Sequence, residues 1–328
     1  MWRCSRLRRG FSLLASTLLA TGCATSESAP RAYAQCDVEF VILGIGQDGG
    51  APQIDNHEDP AWTDPSLQLL AASAALVDHR SGNRYLFEAT PDMREQLHRL
   101  ETEVGAAKAD LPMGLSGVFL THAHIGHYAG LIFAGHESAG AKKLPVYAMP
   151  RMADYLSTNG PWDQLVRYDN IGLVPIRDGV ETRLNAYLAV TPYQVPHRDE
   201  YSETVGFVVS GPTKRILFLP DIDDWDQWDR DHGHTIEAML AKVDTAYLDA
   251  TFFDDHELPG RDMSAIPHPR VTESMSRFEG LSRAERDKIR FFHLNHTNPA
   301  RYPGSDAART IRNRGYKVAK MGERVCLD

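Results

Sequence analysis

Cysteine is scarce in this 328-residue chain: Cys4, Cys23, Cys36 and Cys326 are all there is. No CxxC pair or cysteine cluster occurs, so any bound metal must be held by histidine and carboxylates. No Gly-x-Ser-x-Gly segment is present, which removes the nucleophile elbow of the serine hydrolases. The formal charge is −9 and no long block of one sign exists, so the basic stripe that nucleic acid demands is missing and nucleic acid is excluded as a main partner. Apolar runs stay shorter than the roughly 20 residues of a transmembrane helix. No repeat of fixed period is visible. What remains is ordinary globular usage, 42% hydrophobic and 24% charged, with length for a large core.

Residues 1–22 read as a targeting segment. Arg3, Arg6, Arg8 and Arg9 form a basic start, and Phe11 to Ala20 a short apolar region. Leu19-Ala20-Thr21-Gly22-Cys23 resembles a bacterial lipobox, with Ala20 where leucine is commoner, and implies lipidation of Cys23. The expectation is an exported, lipid-anchored protein of the cell envelope, attached to the outer membrane in a Gram-negative source. A plain signal peptide is the alternative. Removing residues 1–22 takes away four arginines and no acid, moving the formal charge from −9 to −13. So acidic a surface repels anionic lipid, and membrane attachment is expected through the anchor only. Residues 23–36 read as a small, polar tether and 37–328 as one domain. In an oxidising compartment Cys36 and Cys326 can form a disulfide across that domain; two buried thiols are the other reading.

Along the domain, Val38–Leu43 is a β-rich run followed by a long polar loop through Trp62, of the kind that is functional or mobile. Ala72–Asp78 and Arg84–Ala89 read as a hairpin around Ser81-Gly82-Asn83. Helices are expected over Asp92–Leu100, Ala129–Ala139, Ile236–Lys242, Val271–Phe278 and Ala307–Asn313, and from Pro150 to the Asn159-Gly160 stop, with a hairpin closing the chain. Strand ends recur with polar residues: Gly117–Leu120 before His122, Leu188–Val195 before His197, Arg215–Leu219 before Asp221, and Ile289–Leu294 before Asn295 and His296.

His122-Ala123-His124-Ile125-Gly126-His127 places three imidazoles within six residues, directly after an apolar strand. Residues two apart on extended chain point the same way, so His122 and His124 can face one point, and His127 can approach it from the start of the next helix. Neutral imidazole binds zinc at about 2.0–2.1 Å, and a carboxylate at Asp221 can bridge two ions. The candidate metal ligands are therefore His122, His124, His127, His197, Asp221 and His296, with Asp221 and His127 also the candidate catalytic residues.

Thr121-His122-Ala123-His124-Ile125-Gly126-His127-Tyr128-Ala129-Gly130-Leu131 resembles the HxHxDH signature of the metallo-β-lactamase superfamily, and His197, Asp221 and His296 follow in that family's order. Asp48-Gly49-Gly50-Ala51-Pro52-Gln53, Asp249-Ala250-Thr251-Phe252-Phe253 and Asn295-His296-Thr297-Asn298-Pro299 resemble its pyrroloquinoline quinone biosynthesis protein B branch. The resemblance implies an αββα sandwich, two mixed sheets with helices on their outer faces. It also implies one or two ions, the first on His122, His124 and His197, the second on His127 and His296, with Asp221 between. Two departures stand out. Gly126 replaces the motif's aspartate, for which Asp48, Asp199 and Asp254 are candidate substitutes. Residues 48–65 also lack the cysteines that the branch uses for a structural zinc.

Three functions fit: a zinc-dependent hydrolase of a small-molecule substrate, with water as nucleophile; an iron-dependent oxidative enzyme on the same ligands; and a non-catalytic metal-binding lipoprotein. Arg198-Asp199-Glu200-Tyr201 is read as pocket lining or solvated loop, Asp254-Asp255-His256-Glu257 as an exposed acidic loop with metal binding the alternative, and Trp162, Trp225 and Trp228 as core or rim aromatics.

Overall fold

The alternation of side chains along Val38–Gly44 (β1) explains the layering of the whole domain. All seven residues are buried. Val38, Phe40 and Ile42 enter the core between two sheets, while Val41 and Leu43 enter a second core beneath helices. A strand can be apolar on both faces only where both are covered.

The computed structural model describes residues 36–328, which form one compact unit; residues 1–35, with the expected export segment and Cys23, lie outside the described residues. The further strands are β2 (Ser73–Asp78), β3 (Asn83–Phe87), β4 (Gly117–Phe119), β5 (Leu144–Ala148), β6 (Ile171–Pro175), β7 (Thr182–Arg183), β8 (Ala189–Gln194), β9 (Val205–Ser210), β10 (Arg215–Leu219), β11 (Thr245–Asp249), β12 (Ile289–Phe292), β13 (Lys317–Val318) and β14 (Arg324–Cys326). One sheet runs β14-β1-β2-β3-β4-β5-β6 and the other β7-β8-β9-β10-β11-β12-β13. In each, the first three pairings are antiparallel and the last three parallel. The two sheets share this ladder although no repeat shows in the sequence. Between them Phe40, Phe87, Phe119, Phe207 and Phe218 pack ring on ring, with centroids 5.1 Å apart for Phe87–Phe119 and 5.5 Å for Phe40–Phe87. This is the αββα sandwich.

Helices α1 (Met93–Val104), α2 (Ile125–Tyr128), α3 (Pro150–Thr158), α4 (Trp162–Arg167), α5 (Trp225–His232), α6 (Ile236–Leu240), α7 (Val271–Arg277), α8 (Arg283–Arg286) and α9 (Asp306–Asn313) fill the connections. Two expectations are corrected. The helix expected over 129–139 is instead 3-10 turns from Ala129 to Ala134, preceded by the single α-helical turn α2. The backbone there must bend closely under Thr90, whose carbonyl oxygen lies 2.1 Å from where a Cβ on Gly130 would sit. The terminal hairpin is also absent: β13 joins one sheet and β14 the other, so the chain end ties the two layers together. Cys326, on β14, is disulfide-bonded to Cys36 with Cα atoms 5.6 Å apart. Trp225 and Trp228 of α5 are buried, donating to Ser274 Oγ and to the carbonyl of Gln194.

Candidate metal centre

The loops that carry the chemistry follow strands of both sheets, the parallel-paired β4, β10 and β12 and the antiparallel β1 and β8. Leu120 and Thr121 continue from β4 into His122, and His124 opens α2, whose third residue is His127. His197 follows β8, Asp221 follows β10, and His293 is the first residue after β12. Asp48 comes from the loop after β1.

Asp221 lies at the centre, buried to 3% exposure, with one oxygen toward each of two groups. Its Oδ1 is 3.7 Å from His197 Nε2. Its Oδ2 is 3.2 Å from His127 Nε2 and 3.4 Å from His293 Nε2. His124 Nδ1 lies 3.2 Å from His197 Nε2, and Asp48 Oδ1 lies 3.5 Å from His127 Nε2. Donor atoms around one tetrahedral ion at 2.0–2.1 Å sit about 3.3–3.4 Å apart, so this spacing is that of ligand edges. His122, His124 and His197 form one group capable of holding an ion; Asp48, His127 and His293 form another.

Except for His127 Nδ1, which is buried without a hydrogen-bond partner, the nitrogens that face away from the centre are engaged. His122 Nδ1 is 2.8 Å from Thr121 Oγ1, His197 Nδ1 is 2.7 Å from Asp223 Oδ1, and His293 Nδ1 is 3.0 Å from Thr251 Oγ1. Buried Glu88 faces His127 Nδ1 at 3.7 Å, and Glu200 meets His124 Nε2 at 3.3 Å. Such outer partners fix the tautomer and aim the other nitrogen inward. Inward, His122 Nε2, His127 Nε2, His293 Nε2 and Asp221 Oδ2 are buried without any hydrogen-bond partner. Leaving this many buried polar atoms unpaired costs about 1–3 kcal/mol each, unless a cation completes them. The donor set of imidazoles and carboxylates thus fits zinc or iron.

The electrostatics agree. Burial works against the Asp221 carboxylate, but His293, His127, His197 and His122 outweigh it and hold its pKa well below the usual range. Burial, then the neighbouring imidazoles, push His122 far down. Burial opposes the charge on His127 too, yet Asp221, Asp48 and Glu88 together raise it well above the ordinary histidine value. In Glu88, burial dominates and raises the carboxyl.

Of the expected residues, the fold brings His122, His124, His127, His197 and Asp221 together and leaves His296 out. His296 Nδ1 instead contacts Asn56 Nδ2 at 2.9 Å, beside a buried Arg301–Asp59 ion pair. The late histidine of the cluster is His293, because β12 stops at Phe292 and the chain turns at once, with φ 60° at His293. From the sequence that strand is expected to run on to Leu294. His268 is a second unforeseen member: its Nδ1 is 2.7 Å from Asp249 Oδ2 and 4.0 Å from Asp221 Oδ1, and with His197 and Asp221 it makes a further potential ligand group. It sits in irregular chain between β11 and α7, where no periodicity marks it. Of the three candidate substitutes for the motif's aspartate, Asp199 pairs with Arg151, and Asp254 caps the turn at His256; neither belongs to these groups.

A profile of the β-lactamase superfamily domain matches residues 83–289. The chain belongs to that superfamily. Within the superfamily, it is similar over 88% of its length to the whole of coenzyme PQQ synthesis protein B from Bradyrhizobium diazoefficiens, at 24% identity. Among solved structures, zinc-bound PqqB from Methylobacterium extorquens superposes with a TM-score of 0.71 at 22% identity, covering 88% of this chain and 99% of that one. A diphosphatase of the PhnP family superposes with a TM-score of 0.60 at 19% identity, covering 88% and 96%.

Proposed function

We propose that this protein is a metal-dependent hydrolase that uses water as its nucleophile and zinc as its metal. The observation that carries the reading is Asp221, with one carboxylate oxygen toward His197 and the other toward His127 and His293. When bound there, a pair of ions supplies an activated water and polarises the carbonyl or phosphoryl oxygen of a substrate. The chain's own contribution is orientation. Asp223, Thr121 and Thr251 hold three of the imidazoles from behind, so little reorganisation is needed on loading. Asp249 keeps a proton on His268 Nδ1 beside the cluster, which its raised pKa reflects: burial opposes the charge and Asp249 overcomes it. The half-exposed side of His124 and Asp48 leaves an approach for a small molecule.

The test is hydrolysis of p-nitrophenyl esters and bis-p-nitrophenyl phosphate by zinc-loaded protein. Turnover of at least one is expected, lost on chelation, regained with zinc, and abolished by His124→Ala. The similarity to coenzyme PQQ synthesis protein B favours a second reading, an iron-dependent oxidative enzyme on the same residues. Oxygen uptake by iron-loaded protein, without hydrolysis of any ester, would replace the first reading by the second. Export with a lipid anchor at Cys23 is also our proposal; the Cys36–Cys326 disulfide supports an oxidising compartment. Unchanged membrane partition after Cys23→Ser would refute the anchor.

A further inference from the structure

We infer that Asp48 has taken over the ligand role of the motif's missing aspartate, and that Gly126 is glycine because Asp48 occupies the space. This rests on reading the cluster as a two-ion centre. A Cβ built on Gly126 would lie 2.4 Å from Asp48 Cα, 2.5 Å from its Oδ1 and 2.9 Å from its Cβ. No side chain fits there while Asp48 stays, and the carboxylate delivered from outside ends where a side chain at 126 would begin. The obstacle at 126 is therefore steric and specific, not a backbone requirement.

Three further features show that Asp48 is held in place. Its backbone has φ 40°, a left-handed conformation uncommon outside glycine, though better tolerated by aspartate than by most residues. Gln47 next to it donates its backbone N–H to the carbonyl of Leu294 at 2.9 Å, and Asn295 Nδ2 donates to Gln47 Oε1. The turn carrying Asp48 is thereby strapped to the loop carrying His293, its partner in the same ligand group. Farther along, the loop is fixed by the buried Arg301–Asp59 pair. The carboxylate also faces His127 Nε2 and His293 Nε2, both without hydrogen-bond partners.

The experiment counts zinc per chain in the purified full-length protein after dialysis against graded chelator, together with melting temperature. Wild type should retain two ions. Asp48→Asn, which keeps the volume but weakens the donor, should lower retention of one ion by more than about 100-fold, beyond what loss of an outer partner does. Gly126→Asp alone should melt lower through the clash. The double variant Asp48→Gly with Gly126→Asp should regain both the melting temperature and the second ion. Two ions held equally well in Asp48→Asn would overturn the inference while leaving the proposed function standing. A Gly126→Asp protein with unchanged melting and zinc would overturn the steric argument. No metal in wild type would overturn both.

Discussion

Around Asp221, one half of the cluster takes two of its three residues, His122 and His124, from a single turn after β4, and adds His197. The other half takes Asp48, His127 and His293 from three separated parts of the chain. The first half is compact in sequence and written as a motif. The second is assembled by tertiary structure, and two of its members, Asp48 and His293, sit at positive φ. Strained conformations persist only where the surroundings over-determine them. The assembled half should therefore depend on loop anchoring in a way that the motif half does not.

Removing the residue common to both halves should have the largest effect. Asp221→Ala is expected to abolish turnover and leave less than one zinc per chain, whereas His124→Ala should leave the assembled half loaded. Equal zinc content in the two variants would break the division into halves. Next comes the disulfide, far from either half. Cys36→Ser should lower stability by up to about 5–6 kcal/mol in the chain-entropy account of so long a loop, read from denaturant midpoints. Zinc retention by the folded protein should not change in either half.

Arg301→Ala separates the halves more directly. Arg301 and Asp59 are each 1% exposed, and removing one partner of such a pair costs about 3–5 kcal/mol. A lower midpoint and faster loss of one ion to chelator, that of the assembled half, are expected. Identical loss of both ions would uncouple the 48–65 loop from the centre.

The smallest effect concerns pH. Glu257 is held by the Phe253 N–H and the Thr297 hydroxyl, on the rim formed with Asn295, and burial pushes its carboxyl up from 4.5 to about 7. A raised folded pKa stabilises the protonated form. That contribution is complete below pH 4.5 and is lost as pH rises through about 7. Glu257→Gln, which cannot ionise, should match wild type at pH 4 and exceed it at pH 8 by about 1–3 kcal/mol after allowance for partial exposure. A constant difference across that range would contradict the assignment.

The same contrast explains what could be read from the sequence. The strand before His122, the hairpin of β2 and β3, and the order of His197 and Asp221 are local patterns that keep their meaning in isolation. So the αββα sandwich and the motif half were legible. His293 is hidden because Phe292-His293-Leu294 looks like strand interior, and only the fold shows β12 stopping at Phe292, two residues earlier. His296 looked better placed, yet the turn after Leu294 carries it toward Asn56. His268 lies in irregular chain, without a spacing to announce it. Asp48 could be named only as one candidate among three, since the clash that selects it exists between residues 78 positions apart.

Anomalous scattering at the zinc edge from crystals of the full-length protein tests the central claim most directly. Two peaks about 3.5–4 Å apart are predicted, one among His122, His124 and His197, the other among Asp48, His127 and His293, with Asp221 between them. A single peak in the first group with Asp48 turned to solvent, or a second peak beside His296 and Asn56, would contradict it.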